Sequence, residues 1–300
     1  MSIYRNSDSL VKYIGDKSVF QKKYLEKTLA EELNETEKQE LENIIEFFLK
    51  EYTLREMVDA YLLFVDDILE ETKYFVENEK YKYSSFAEVN EKVYTNDMYM
   101  KKYMLGLQLS GYIWKNHLLI HRWFKDKIRQ FSGKDYLEIG PGHGQYFLEA
   151  INEQNFEQYT GIDISLSAVK LAIDYINCFK KTEIRNYSII CDDFLKLNFE
   201  KKFDMVCMSE VLEHLEEPAR YLEKIYDITN AEANIYISVP INAPAMDHIY
   251  LFHSIEEVFS MVQEVGFTIK DYFYVTGNDI SYEKAVKRKR AINLALHMMR

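Results

Sequence analysis

The chain is poor in the residues that break or staple a fold: proline occurs four times and cysteine three times in 300 residues. The cysteines Cys178, Cys191 and Cys207 are odd in number and widely spaced, which excludes a disulfide framework or a zinc-binding pair; their apolar surroundings read as core positions. No run approaches the roughly 18 consecutive apolar residues of a membrane span. Residues Met1 to Lys12 lack the basic and apolar regions of a secretory leader, so a soluble, cytoplasmic protein is expected. Positive charge is also short. With 37 Lys and Arg against 49 Asp and Glu, the net charge of -12 argues against a nucleic-acid partner, whose phosphates need basic side chains. The local exception, Lys287 to Arg290, reads as a solvated helix face.

What is present is apolar and patterned. Hydrophobic residues make up 47% of the chain, enough for a packed core. Residues up to about 130 carry helical periodicity with almost no glycine or proline to interrupt it. Capping boxes at Asn34 to Glu37, Thr53 to Glu56 and Ser85 to Glu88 mark three helix starts. After Ser132 and Gly133 the pattern becomes short apolar runs alternating with helical segments, the rhythm of βαβ units and a parallel sheet. The expectation is an α/β protein: a helical unit over 1–130 and a Rossmann-like, mostly parallel sheet over 131–300. Strands are expected near 135–139, 159–163, 186–191, 203–208, 233–239 and 267–275. Residues 286–300 read either as a basic amphipathic helix or as a short helix followed by a strand at 292–299, with the strand favoured.

The strongest motif is Asp135 to Gly144, a strand turning through Gly140, Gly142 and Gly144 into a helix. Glycines allow a sharp turn and close ligand approach, and the helix start favours an anion. A dinucleotide fingerprint would need glycine at position 145, which is Gln145. The loop, with Glu138 before it and Pro141 within it, resembles the first motif of the seven-stranded S-adenosylmethionine-dependent methyltransferases. The resemblance continues through Asp163 and Ile164, then Asp192, Asp193 and Phe194, then Phe203 to Leu215, a stretch close to the small-molecule and quinone-type O-methyltransferases. It covers about residues 130–275.

The resemblance implies S-adenosylmethionine as methyl donor, leaving as S-adenosylhomocysteine. It implies cofactor contacts from Glu138, Gly140, Pro141, Gly142, Gly144, Asp163, Ile164, Asp192 or Asp193, Phe194, Ser209 and Glu210. Asp163 would take the ribose hydroxyls, Asp193 the adenine amino group, and Phe194 would pack by the ring. Methyl transfer is an in-line displacement that rests on positioning, with a base where the acceptor must lose a proton. The candidate bases are His214, His248 and Glu210. Tyr99, Tyr103, Trp114, His117 and Asp247 are candidate substrate contacts, if the tyrosine-rich helices form a lid rather than only a packing core. Those helices could equally select the substrate or dimerise the chain. His117 and His121 are one helical turn apart but lack a third ligand, so no metal centre is expected. The expected partner is a small molecule, with O-methylation favoured over N- or C-methylation; a non-catalytic cofactor-binding module and an NAD(P)-dependent oxidoreductase remain the alternatives.

Overall fold

The structure, a computed structural model, describes residues 4–181 and 186–300. Its first part is helical: α1 (Arg5–Lys17), α2 (Val19–Glu31), α3 (Glu35–Phe48), α4 (Leu54–Asn78), the short α5 (Phe86–Val89), α6 (Asp97–Ile113) and α7 (Lys115–Ile128). Two expected starts form complete capping boxes: Asn34 and Glu37 exchange hydrogen bonds at the head of α3, as do Thr53 and Glu56 at α4. The third differs. Ser85 caps α5, but the Glu88 carboxylate bonds the Ser84 N–H, and the chain widens into a π turn at Asn90–Tyr94 before Asn96 caps α6.

From Gly133 strands and helices alternate: β1 (Gly133–Ile139), α8 (Gln145–Glu153), β2 (Phe156–Asp163), α9 (Leu166–Phe179), β3 (Tyr187–Cys191), β4 (Phe203–Ser209), α10 (Pro218–Ile228), β5 (Thr229–Ile241), α11 (Ile255–Val265), β6 (Thr268–Thr276), α12 (Tyr282–Lys287) and β7 (Ile292–Met299). All seven strands join one sheet in the order β3-β2-β1-β4-β5-β7-β6. β7 runs antiparallel to both β5 and β6, and the other pairings are parallel. The fold is the expected α/β, mostly parallel seven-stranded one, and the C-terminal segment takes its strand reading.

Strand periodicity sorts the two faces. Tyr136, Met205, Tyr236 and Ala295 share one buried cluster with α1, α3, α4, α6, α7, α8 and α9. Leu137, Val206, Ile237 and Leu296, one residue along, share the other with α10, α11 and α12. Helix α7 lies against β6 and β7, so the helical part and the sheet bury a common apolar layer.

Two details differ from the sequence reading. Cys207 is buried on β4, but Cys178 and Cys191 are exposed: the first sits on a helix beside the sheet edge, and the second ends β3, the edge strand, which has no neighbour on its outer side. Lys287 to Arg290 are exposed as expected, but only Lys287 is helical; the rest form the turn into β7, with Lys289 at φ 50° and paired to Glu79. Among the described residues no helix is long and apolar enough to cross a membrane.

Candidate active site

The glycine loop joins β1 to α8 at the sheet's centre. Gly140, Gly142 and Gly144 all have positive φ, at 67°, 53° and 88°. Two of them explain why glycine is needed. A Cβ on Gly140 would lie 2.6 Å from Val211 Cγ2, so this turn is packed shut. A Cβ on Gly142 would meet nothing within 4 Å, so this turn faces open space where a ligand can lie against bare backbone. Glu138 sits beneath the loop, 2% exposed, accepting the Tyr136 hydroxyl. Burial pushes its carboxyl up to about 8, against the opposing pull of its bonds from Tyr136 and the Phe147 N–H. It holds the loop from the inside.

Asp163, at the end of β2, faces the loop. Its Oδ2 accepts the Gly142 N–H at 3.0 Å and its Oδ1 the Ser165 N–H at 2.8 Å, while Ser165 itself caps α9. Each carboxylate oxygen retains a further lone pair, so a ribose diol can still be accepted. Beyond it Ile164 is 60% exposed, an open apolar surface beside the cleft. The acidic pair after β3 is ordered locally: Asp192 Oδ1 accepts the Asp193 N–H at 2.7 Å, and Asp193 Oδ1 accepts the Leu195 N–H at 2.9 Å. The Phe194 ring does not face the surface; it is buried against Phe199 and Tyr221.

At the end of β4 a relay runs from the Ser209 hydroxyl to Ser238 at 2.7 Å and from Ser238 to Glu210 Oε1 at 2.8 Å. Glu210 has φ 52°, and burial raises its carboxyl to about 6. The 3-10 turn Leu212–His214 then brings in Glu213 and His214. His214 donates Nδ1–H to the Asp247 carbonyl at 2.9 Å, and His248 donates Nδ1–H to the Ala243 carbonyl at 2.7 Å. In each ring this leaves Nε2 as the nitrogen not engaged by that bond. The rings are 5.1 Å apart, and burial, with His214 alongside, lowers His248 to about 4. Glu213 is fully buried, with neither carboxylate oxygen hydrogen-bonded among the described residues, and burial raises it well above the usual carboxyl range.

Glu213, His214 and His248 thus converge, with ligand atoms all within 4.8 Å of one another. Glu213 Oε1 lies 3.7 Å from His214 Nε2, and a fully buried carboxyl beside two imidazoles is satisfied only when the cluster holds a proton or a cation. Sequence spacing could not show this group, because Glu213 and His248 are 35 residues apart and meet only through the β5 loop. The histidine pair considered from spacing does not converge. His117 Nδ1 pairs with Ser110 at 3.0 Å, and His121 Nδ1 with the Gln145 amide at 3.3 Å.

The candidate substrate residues form one aromatic row. Tyr99 stacks on Tyr103, Tyr103 meets Phe64 edge to face, and Phe64 with Trp114 and Trp114 with His117 make tilted contacts, with ring centres 5.2 to 6.0 Å apart. The Tyr99 end reaches the loop that carries His248: Tyr103 Oη donates to Asp247 Oδ1 at 3.2 Å, and Tyr99 Oη contacts Asp67 and Met246. Trp114 and His117 sit at the α6–α7 junction, where Trp114 donates to Tyr61 at 2.9 Å. Tyr81, not singled out from sequence, covers His248 at 5.7 Å and donates to Ala243. A tyrosine among many carries no local signal of this.

Comparison with known proteins places this geometry. The family described as methyltransferase domain matches residues 115–270, more than half the chain. A mitochondrial ubiquinone biosynthesis O-methyltransferase of Dictyostelium discoideum is 25% identical over 138 residues, 44% of this chain and 42% of that protein. A pavine N-methyltransferase of Thalictrum flavum subsp. glaucum is 29% identical over 94 residues, 31% of this chain and 26% of that protein. The matches thus span less than half the length of either relative. Among solved structures, the N-methyltransferase NodS of Bradyrhizobium japonicum WM9 bound to S-adenosylhomocysteine is 14% identical, with a TM-score of 0.47 over 61% of this chain and 86% of that one. With the family matched from α7 through β6, across the glycine loop and both acidic strand ends, the chain belongs to the S-adenosylmethionine-dependent methyltransferases.

Proposed function

We propose that this protein transfers the methyl group of S-adenosylmethionine to a hydroxyl of a small, ring-bearing acceptor, with His214 as the base. The observation that carries the reading is the His214 ring, fixed beside the end of β4 by its Nδ1–H bond to the Asp247 carbonyl, which leaves Nε2 as the nitrogen to take a proton. Cofactor would lie along the glycine loop, its carboxylate at the α8 start, its ribose on Asp163 and its adenine by Asp193. The acceptor would enter between the β5 loop and the Tyr99 end of the aromatic row, where flat rings suit a flat substrate. His214 Nε2 would take the hydroxyl proton, and S-adenosylmethionine, when bound, would supply the methyl group to the acceptor oxygen, with S-adenosylhomocysteine as the product. Burial holds His248 near 4, which makes it a weak base at neutral pH. Relatives named as a ubiquinone biosynthesis O-methyltransferase and a pavine N-methyltransferase support a small acceptor. We propose further that α1–α6 serve as a lid over the acceptor and that α7 goes with the sheet.

A second reading rests on the same cluster: Glu213, His214 and His248 suit a divalent cation, and such an ion would lower the pKa of a bound acceptor hydroxyl. The test incubates the protein with methyl-labelled S-adenosylmethionine and fractionated cell extract. Label is expected in the small-molecule fraction, about a hundredfold less with His214→Asn while S-adenosylhomocysteine binding is kept. Label in protein or nucleic acid would overturn the acceptor class. Loss of transfer on chelation, restored by one divalent metal, would favour the cation over the free base.

A further inference from the structure

Lys224 lies on α10, outside every motif that marks the site, yet its ammonium reaches back to the turn after β3. Nζ donates to the carbonyls of Phe194 at 2.6 Å, Leu195 at 2.9 Å and Leu197 at 2.5 Å. Three donors meet three acceptors, so the group is fully used. The same nitrogen stands 4.9 Å from the centre of the Phe194 ring and 5.5 Å from that of Phe199, over their faces. Burial lowers its pKa, with Asp193 opposing. No carboxylate lies within ion-pair distance of Nζ among the described residues; Asp193 pairs instead with Lys196 at 3.2 Å. A cation spent on three consecutive-turn carbonyls holds a backbone shape rather than a charge partner.

That shape is the turn directly after Asp193. Its first bond, Asp193 Oδ1 to the Leu195 N–H, sets the carboxylate's orientation, and the Lys224 tripod fixes the carbonyls on the other side of the same peptide units. The ring of Phe194 is drawn inward under the ammonium, which leaves Asp193 as the turn's outward, half-buried feature.

We propose that Lys224 is a positioning residue that sets base selectivity at the adenine end of the cofactor site. It holds the 193–197 turn so that Asp193 meets a purine amino group. The inference rests on the reading of Asp193 as the adenine acceptor, and it adds a determinant on α10, distant in sequence from that turn.

The experiment measures binding of S-adenosylhomocysteine and of its inosine counterpart, in which the purine amino group is replaced by a carbonyl, to the full chain, K224M and K224R by calorimetry, with melting temperatures alongside. Wild type should prefer the adenine ligand. K224M should weaken adenine binding about tenfold, the size of one charge-assisted hydrogen bond, and reduce the preference for adenine over inosine. K224R, still cationic but with planar donors, should restore part of both. A lower melting temperature with unchanged selectivity would make Lys224 merely structural and overturn the proposal. Wild type that binds both ligands equally would overturn the Asp193 reading and this inference together, whereas selectivity kept in K224M overturns this inference alone.

Discussion

Gly140→Ala tests how the glycine loop is built. The backbone at 67° places the new residue in the left-handed region, at about 1–2 kcal/mol for a residue with a Cβ. The Cβ also falls 2.6 Å from Val211 Cγ2, well inside contact distance, in a packed interior where overfilling costs about 1–3 kcal/mol. The sum, about 2–5 kcal/mol, is a large share of a domain's stability. Val211→Ala removes the atom that is struck and alone should cost about 1 kcal/mol, as for two half-buried methyl groups. If the geometry holds, the double variant recovers the clash and keeps only the backbone strain, giving a coupling of about 1–3 kcal/mol. Urea unfolding of all four proteins supplies the cycle, and calorimetry with S-adenosylhomocysteine shows whether the repaired loop binds again. Additivity within about 0.5 kcal/mol would mean that Gly140 and Val211 do not touch in solution, and the account of the closed turn would fail.

Asp163→Ala removes an acceptor from the Gly142 and Ser165 N–H groups and from any ribose; S-adenosylhomocysteine affinity should fall by about 30-fold or more in calorimetry, and a change under threefold would separate Asp163 from the cofactor. Glu138 gives a pH signature: with the folded carboxyl raised from 4.5 to about 8, its contribution is fully present below the unfolded value and lost as pH rises through about 8. Wild type should therefore lose stability relative to Glu138→Gln, on the order of a few kcal/mol, between about pH 5 and pH 8.5 in thermal melts, and parallel melting curves would refute a buried neutral carboxyl.

The parts of this molecule that were legible in sequence are those whose cause is local. A glycine needing positive φ, a cap three residues from its partner and a strand alternating between two apolar layers write themselves within ten residues. Thus Gly140 to Gly144, the boxes at Asn34 and Thr53, and β1 to β7 were all readable. What escaped depends on distant chain. Glu213 and His248 meet across a loop, Lys224 reaches back some 30 residues, and Tyr81 finds Ala243 162 residues away. Exposure at Cys191 followed from strand order, which periodicity does not contain: an apolar run reads alike whether it ends up central or at an edge. Gln145 is instructive in both directions. Its absence of glycine argued against a dinucleotide fingerprint, and its side chain, buried between His121 and His143, also ties the loop to α7.

The placement of β7 has a consequence for how the molecule assembles. β5 and β6 share no backbone ladder: β5 pairs with β4 on one side and β7 on the other, and β6 pairs, among the described residues, with β7 alone. Until residues 292–299 arrive, both would present unsatisfied edges, and β5 belongs to the centre of the sheet. Insertion of that one strand closes both edges at once, so it should be a late, all-or-none event in folding, and the intermediate preceding it the species most prone to join a neighbouring chain.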